Sequence, residues 1–547
     1  VAGVAEGFVP SVRSLVRRGA NRALGAAGVA DDFVDRVRTI DERPPGQAGY
    51  SCRRPEQVRV RIAKLAALRD AGIEPYPVGF ARDELLGAVA DRFAGLAPDV
   101  HTGQSVAVAG RVIALRELGG LCFARLRDFS GELQVMLSVD QLGDKGLRQW
   151  RTGVDLGDHV GVRGEVITSK RGELSVLATE WTVTAKCLHP LPDKHKGLAD
   201  EETRVRARYL DIAVRPEAAR MVRLRADVLR AIRDFLHARD YLEVETPMLQ
   251  AVHGGANARP FVTHSNAYDE RMYLRIAPEL YLKRLCVAGV DRVFELNRNF
   301  RNEGADTTHN PEFTMLEAYQ AYADYTTMRH VMRDLIQHAA IAAHGRPVAV
   351  RPDGEHDLSG EWPVIGVYDA VSAALGAPVT PSTSPTEIRC LLGKAGLAGH
   401  DELGHGDLVQ AAYDALVEPR TVGPTFYTDF PAEVSPLTRA HRDDPGKAER
   451  WDLVAFGSEL GTAYSEQTDP LAQRSRLAEQ SLKAASGNVE AMELDEDFLL
   501  ALEHGMPPTG GLGMGVDRLL MMLTGMTIRQ TVLFPFVRPV DQDASSR

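Results

Sequence analysis

The chain has 547 residues, 44% of them hydrophobic and 25% charged, an ordinary globular composition with room for roughly two to four domains. No apolar run approaches the ~18–20 residues of a membrane span, and the first residues lack the charged start, apolar core and cleavage site of a signal peptide. The net charge of -11 counts against a uniformly basic nucleic-acid binder, although Lys and Arg gathered on one surface still neutralise phosphates on an acidic protein.

Residues 1–53 read as an appended basic segment or linker. It holds an amphipathic helix with Arg13, Arg17, Arg18 and Arg22, then a Gly/Ala stretch, an acidic helix and the turn Pro44, Pro45, Gly46. A second basic cluster (Arg53, Arg54, Arg59, Arg61, Lys64, Arg69) overlaps a helix predicted over 54–72. Val58, Ile62, Leu65 and Leu68 stand there at helical spacing, and Gly72 is the stop. Each cluster fits either a phosphate-facing surface or a solvated helix face. From 104 to 188 the pattern changes to five short strands within 106–113, 121–126, 132–136, 159–163 and 174–177. Turn signals at Gly119–Gly120, Ser130–Gly131 and Arg171–Gly172 separate them, with one helical interruption over 142–152. That count suits an OB-type barrel, which commonly binds single-stranded nucleic acid.

Beyond residue 200 long helices alternate with apolar strands, an α+β pattern. A helix is predicted over 217–239, with Met221, Val228, Ile232 and Phe235 on one face, running into a strand over 242–247 closed by Pro247. Residues 364–379 read as a buried helix, and a helical insertion is expected near 380–420. The five cysteines (Cys52, Cys122, Cys187, Cys286, Cys390) are odd in number, far apart and without a CxxC pair. This argues against a zinc site or disulfide framework and fits a reducing, cytoplasmic setting.

Chemistry concentrates in two further segments of this region. Residues 294–304 (FELNRNFRNEG) and 308–319 (THNPEFTMLEAY) read as a strand, a loop rich in Arg and His, and a second strand. Such a unit offers charge to a phosphate-bearing ligand, and a fixed guanidinium grips phosphate or carboxylate in bidentate fashion. Arg301 and Glu303, two apart on a strand, are expected on one face, as are Glu317 and Tyr319. The bland reading of any one of these charges is a surface ion pair. Residues 510–523 (GGLGMGVDRLLMML) read as a Gly-rich turn before an apolar helix with Arg518 in its first turns. No GxxxxGK[ST] loop and no strand–GxGxxG–helix unit occurs.

The helix and strand ending at Pro247 and these two segments together resemble motifs 1, 2 and 3 of the class II aminoacyl-tRNA synthetases. The phrases at 276–284 (IAPELYLKR), 301–304 (RNEG), 309–314 (HNPEFT) and 431–436 (PAEVSP) resemble the lysyl-tRNA synthetases, a likeness running from about residue 54 to 540. The resemblance implies an N-terminal helix and OB-fold anticodon-binding domain over 54–190. It also implies a class II catalytic domain over 200–540, an antiparallel sheet flanked by helices. It implies L-lysine, ATP and tRNA(Lys) as ligands, Mg²⁺ as cofactor, and a homodimer.

Its residue roles carry over position by position. Arg301 matches the arginine on the ATP α-phosphate and the amino-acid carboxylate, Arg518 the arginine on the γ-phosphate side. Glu303 and His309 match positions near the adenine and phosphates, Phe313 the ring on adenine, and Asp452 and Glu459 the magnesium ligands. Arg301, Glu303 and Arg518 are the expected catalytic set. Gly255 and Glu279 match residues on the α-amino group; Glu317, Tyr319 and Glu466 surround the ε-ammonium. Thr462 stands where the family usually has asparagine and Tyr464 where it often has phenylalanine; the shorter Thr462 is expected to weaken lysine affinity. In the barrel Arg116, Phe123 and Gln134 match the anticodon contacts.

The start at Val1, the unmatched basic segment and the GTAYSE variant at 461–466 resemble actinobacterial proteins that fuse a lysylphosphatidylglycerol synthase to a lysyl-tRNA synthetase. That likeness implies covalent fusion to a membrane lipid-lysylating domain, and tethering at the cytoplasmic face. A tRNA-binding or regulatory paralogue without full activity is the alternative; retention of Arg301, Glu303, Glu459 and Arg518 counts against it.

Overall fold

The structure, a computed structural model, describes residues 55–192, 198, 200–397, 402–485 and 491–538. The appended segment 1–53, with its arginine cluster, and the polar C-terminal tail lie outside the described residues. The chain divides into two compact units, one ending at Leu191 and the other starting at Pro192.

In the first unit, helix α1 (Glu56–Asp70) buries Val58 and Leu68, whereas Ile62 and Leu65 stay half-buried. Gly72, at φ +77, stops it. Strands β1 (His101–Leu118), β2 (Leu121–Arg127), β3 (Glu132–Ser138), β4 (His159–Thr168) and β5 (Leu174–Ala185) close into a barrel in the order β1-β2-β3-β5-β4. Helix α2 (Val139–Gly153) lies between β3 and β4 in the chain, and its Leu147 and Trp150 join the barrel core. Alternation fills that core. Cys122, Ala124 and Leu126 point inward, while Phe123 and Arg125 of the same strand stay at least partly exposed.

The second unit is built on an eight-stranded sheet. Its strands are β6 (Leu242–Glu243), β7 (Arg292–Phe300), β8 (Glu312–Ala321), β9 (Val364–Gly366), β10 (Thr425–Thr428), β11 (Arg450–Ala455), β12 (Ser458–Ser465) and β13 (Thr509–Gly515), in the order β9-β10-β11-β12-β13-β8-β7-β6. The six middle strands pair antiparallel; only the edge pairs β9/β10 and β6/β7 are parallel. Helices α3 (Pro216–His237), α4 (Tyr325–His344) and α5 (Val516–Thr524) pack on one sheet face. Met221, Val228, Ile232, Phe235, Met332, Leu335 and Leu520 there meet Phe294, Leu316, Ala318, Leu512 and Met514 from the strands.

Three predicted elements differ. The strand expected over 242–247 is only Leu242–Glu243, because Thr246 turns its N–H and hydroxyl to Glu295 Oε2 (3.1 and 2.6 Å) instead of extending the ladder. The expected helix over 364–379 is the edge strand β9 followed by a helix, Val367–Leu375. With helices Pro385–Lys394 and His405–Leu416 it forms a core of its own around Val371, Ile388, Leu392, Leu408 and Ala412. The Gly-rich stretch before α5 is not a turn but a full strand, β13, in the middle of the sheet.

Candidate active site

The sheet face opposite the helices carries two adjoining hollows. Along β8 the period of two sends Leu316 and Ala318 into the core while Met315, Glu317 and Tyr319 face the first hollow. Its walls include Gly255, Glu279, Arg301, Glu317, Tyr319, Thr462, Tyr464 and Glu466, the whole group expected around an amino acid. The second hollow is lined by Arg301, Glu303, His309, Phe313, Glu459 and Arg518, the group expected around a nucleotide. Arg301, Met315, Glu459, Thr462 and Gly513 border both.

Glycines pave the shared floor. A Cβ on Gly511 would lie 2.1 Å from Glu466 Oε1 and 2.5 Å from Tyr319 Cε1, so this strand position admits no side chain. The far wall of the first hollow is acidic. Glu279, Glu317 and Glu466 are 5%, 3% and 2% exposed, and Tyr319 Oη donates to Glu317 Oε2 at 3.2 Å. Burial first, and Glu279 next, push the Glu317 carboxyl well above the usual range. Glu466 Oε1 is buried without a hydrogen-bond partner. A buried carboxylate oxygen in that condition accepts an ammonium.

At the junction Arg301 lies just past the end of β7, its backbone N–H donating to Pro311 O at 2.9 Å. Its Nε is buried without a partner, which fits a guanidinium awaiting an anion. Burial lowers its pKa, while Glu303 and Glu459 act in the opposite sense. Arg301 Cζ is 5.2 Å from the centre of the Phe313 ring. The expectation that Arg301 and Glu303 share a strand face is corrected: both lie in the loop after β7, and Glu303 is exposed. In the second hollow Arg518 Nη1 donates to Glu459 O (2.8 Å), its Nη2 is 3.3 Å from His309 Nε2, and Asp306 holds His309 Nδ1 (3.0 Å).

The acidic pair expected to hold magnesium does not act as a pair. Asp452 lines neither hollow; Arg450 grips both its oxygens (3.0 and 2.6 Å) and Thr462 Oγ1 donates to Oδ1 at 2.7 Å. Three hydrogen bonds thus hold the Asp452 carboxylate and leave acceptor capacity on Oδ2. Glu459 borders both hollows with its nearest cation, Arg518 Nη1, at 4.0 Å. Among the described residues no three His, Cys, Asp or Glu are grouped to hold an ion. Magnesium shared with substrate phosphates needs only one or two protein carboxylates, so Glu459 fits that ion. Thr462 therefore spends its hydroxyl on Asp452 and Trp451 O (3.1 Å), not on the hollow.

Several lining residues escaped the sequence reading. Ser435, Leu437 and Thr438 come from the segment between β10 and β11, and Arg450 lines the first hollow with Asp452 behind it. Lys283, in helix α6 (Glu279–Val287), is fully buried against Glu279 and Glu466. Its signal was the i, i+4 spacing from Glu279. In the barrel, Arg116 and Phe123 are register partners with Arg116 Cζ 5.4 Å from the ring, and Gln134 Nε2 donates to Ser175 Oγ at 2.9 Å. Phe123 lies on the outer face, not in the barrel core.

An antiparallel sheet that carries one arginine after a strand–loop and another on the helix after its glycine strand, over a split acidic and basic pocket, defines a class II synthetase domain. The model of the class II tRNA synthetases (D, K and N) matches residues 200–538 and that of the OB-fold nucleic acid binding domain matches 106–184; the chain belongs to that synthetase family. Relatives in Nocardia farcinica (51% identical over 545 residues, 98% of this chain and 47% of the relative) and Rhodococcus jostii (51% over 553, 98% and 49%) are each named lysylphosphatidylglycerol biosynthesis bifunctional protein LysX. A relative of the same name in Mycolicibacterium vanbaalenii is 56% identical over 492 residues, 89% of this chain and 44% of that protein. The chain thus spans about half the length of the curated relatives it matches. Among the described residues no helix is long and apolar enough to cross a membrane.

Proposed function

We propose that this ligase activates L-lysine with ATP and passes the lysyl group to tRNA(Lys). The observation that carries the reading is the pairing of an acidic slot ending at an unpartnered Glu466 oxygen with a buried arginine whose Nε is also unpartnered. A side chain ending in an ammonium satisfies the first, and its α-carboxylate, lying beside a phosphate, satisfies the second.

In the first step a lysine carboxylate oxygen attacks the α-phosphorus, the new P–O bond forms as the bond to the β-phosphate oxygen breaks, and pyrophosphate leaves. Arg301 holds carboxylate and α-phosphate together and stabilises the charge that builds on the equatorial oxygens. Phe313 stacks the adenine, Arg518 and His309 hold the outer phosphates, and Glu303 borders the base. Magnesium held through Glu459 would screen phosphate charge and polarise the leaving group. In the second step a terminal ribose hydroxyl of the tRNA attacks the lysyl carbonyl and AMP departs. No nucleophile of this chain is required.

The barrel (within 54–190) would read the anticodon, Phe123 stacking on the central base with Arg116 and Gln134 at its edges. The catalytic unit (200–540) would act as a homodimer. The relatives' name, lysylphosphatidylglycerol biosynthesis bifunctional protein, supports a further part of this reading: the lysyl-tRNA would also serve lipid lysylation through a fused membrane part, this portion lying on its cytoplasmic side. The test is amino-acid-dependent exchange of pyrophosphate into ATP across the twenty amino acids, followed by charging of tRNA. Exchange confined to lysine is expected; exchange with another amino acid, or none, removes the reading.

A further inference from the structure

The end of the acidic slot contains a cation of its own. Lys283 Nζ is 0% exposed, 2.7 Å from Glu279 Oε1 and 2.5 Å from Glu466 Oε2. It borders neither hollow, whereas both of its partners line the first. Lys283 therefore stands behind the slot wall. Glu466 is shared: one oxygen faces the internal ammonium, and the other is buried without a partner.

We propose that Lys283 is a built-in counter-ion that favours the carboxylate form of Glu466 and divides it between two ammonium groups, its own and that of the amino-acid side chain. This makes Lys283 a positioning and specificity-determining residue for the cationic substrate. The inference rests on the proposed lysine-activating function.

The charge balance supports it. Three buried carboxylates (Glu279, Glu317 and Glu466) face one another here, and unpaired like charges in a dry site drive one another to take up protons. With a lysine bound, its α- and ε-ammonium groups together with Lys283 match the three carboxylates charge for charge, while the ligand carboxylate goes to Arg301. Without Lys283 one carboxyl becomes neutral, and a neutral acid holds an ammonium poorly. The groups facing Glu466 are Lys283, Glu279 and Cys286 from α6 and Tyr319 from β8; Gly511 of β13 adds no side chain at this point. Burial raises the Glu466 carboxyl to about 8, with Lys283 opposing the rise and Glu279 adding to it. Glu279 and Glu466 hold the Lys283 ammonium above its ordinary value against the opposing effect of burial. Helix α6 fixes the arrangement, because Glu279 and Lys283 are one turn apart on the same face.

The test is lysine-dependent pyrophosphate exchange between pH 6 and 8.5 for the wild type, K283M and E466Q. K283M keeps the length of the side chain and removes its charge. Its lysine KM is expected to rise at least tenfold at pH 7 and to fall again as pH increases, the acid limb moving up by a pH unit or more. Its KM for ATP should stay within twofold of the wild type. A lysine KM with no shift in pH dependence, or equal losses toward lysine and ATP, overturns the proposal. Should K283M not fold, E466Q decides: an acid limb that persists without the Glu466 carboxyl refutes the assignment, and its disappearance supports it. Absence of lysine-dependent exchange in the wild type would instead sink the functional reading.

Discussion

Glu466→Gln is the sharpest probe of the acidic slot. The substitution keeps the shape and removes one negative charge at a site 2% exposed, where Oε1 has no partner inside the protein. A hydrogen bond to a charged group contributes about 1.5–3 kcal/mol, and each 1.4 kcal/mol is about tenfold in affinity. The lysine KM should therefore rise roughly ten- to hundredfold. In the proposed binding mode the ε-ammonium lies at the opposite end of the slot from the reacting carboxylate, so ground and transition states would lose the same interaction. The kcat for adenylate formation should then change by no more than a few fold. The KM for ATP reports the second hollow, which Glu466 does not border, and should stay within about twofold. Lys283 keeps Glu279 as a partner at 2.7 Å, so the fold should survive. The assay is pyrophosphate exchange with each substrate varied in turn. Equal effects on the two KM values, or a collapse of kcat with an unchanged lysine KM, would place the side-chain ammonium elsewhere.

Arg301→Ala should abolish lysine-dependent exchange, because it removes the one cation bordering both hollows that lies between carboxylate and phosphate; retained exchange takes Arg301 out of the mechanism. Glu459→Gln should raise the magnesium concentration needed for half-maximal exchange several fold. Asp452→Asn should instead lower the melting temperature, because a buried carboxylate held by Arg450 and Thr462 is lost; the reverse pattern would place Asp452 on the metal. Gln134→Ala should slow tRNA charging and leave adenylate formation unchanged, and equal loss of both steps would count against the barrel's role.

Much of this was legible in the residues because it depends on local periodicity. The barrel strands announced themselves through alternation between glycine turns, and Glu317 and Tyr319 fell on one face because β8 stays extended through both. What failed depended on partners distant in the chain. Residues 242–247 have strand composition, but Glu295 captures Thr246 and ends the ladder after two residues. The glycines from Gly510 to Gly515 read as a turn. They form a strand, and at Gly511 a side chain would take the volume filled by Glu466, just past β12, and Tyr319 of β8. Lys283 looked like any helical lysine until Glu466, far along the chain, was folded against it.

The same contrast shows how one sheet serves both stability and chemistry. Alternate residues of β8 divide between a close-packed core and the substrate slot, so a slip of one residue would send Glu317 into the helices and Leu316 into the slot. The register is pinned from the side: the Thr314 N–H donates to Asp517 Oδ2 at 2.8 Å, and Arg225 of α3 reaches both Asp517 Oδ1 (2.5 Å) and Thr314 Oγ1 (2.9 Å). Asp517 and Arg225 are themselves buried, and Asp517 stands one residue before Arg518. A single buried ion pair thus ties the long helix α3 to the strand bearing Phe313 and to the helix turn bearing Arg518. Phe313 and Arg518, which line the second hollow, are placed relative to each other by a contact that is part of the core. Placement of this kind is inherited from packing: Phe313 and Arg518 stand on a strand and a helix start, and the loop that carries Arg301 is anchored at its two ends by β7 and β8.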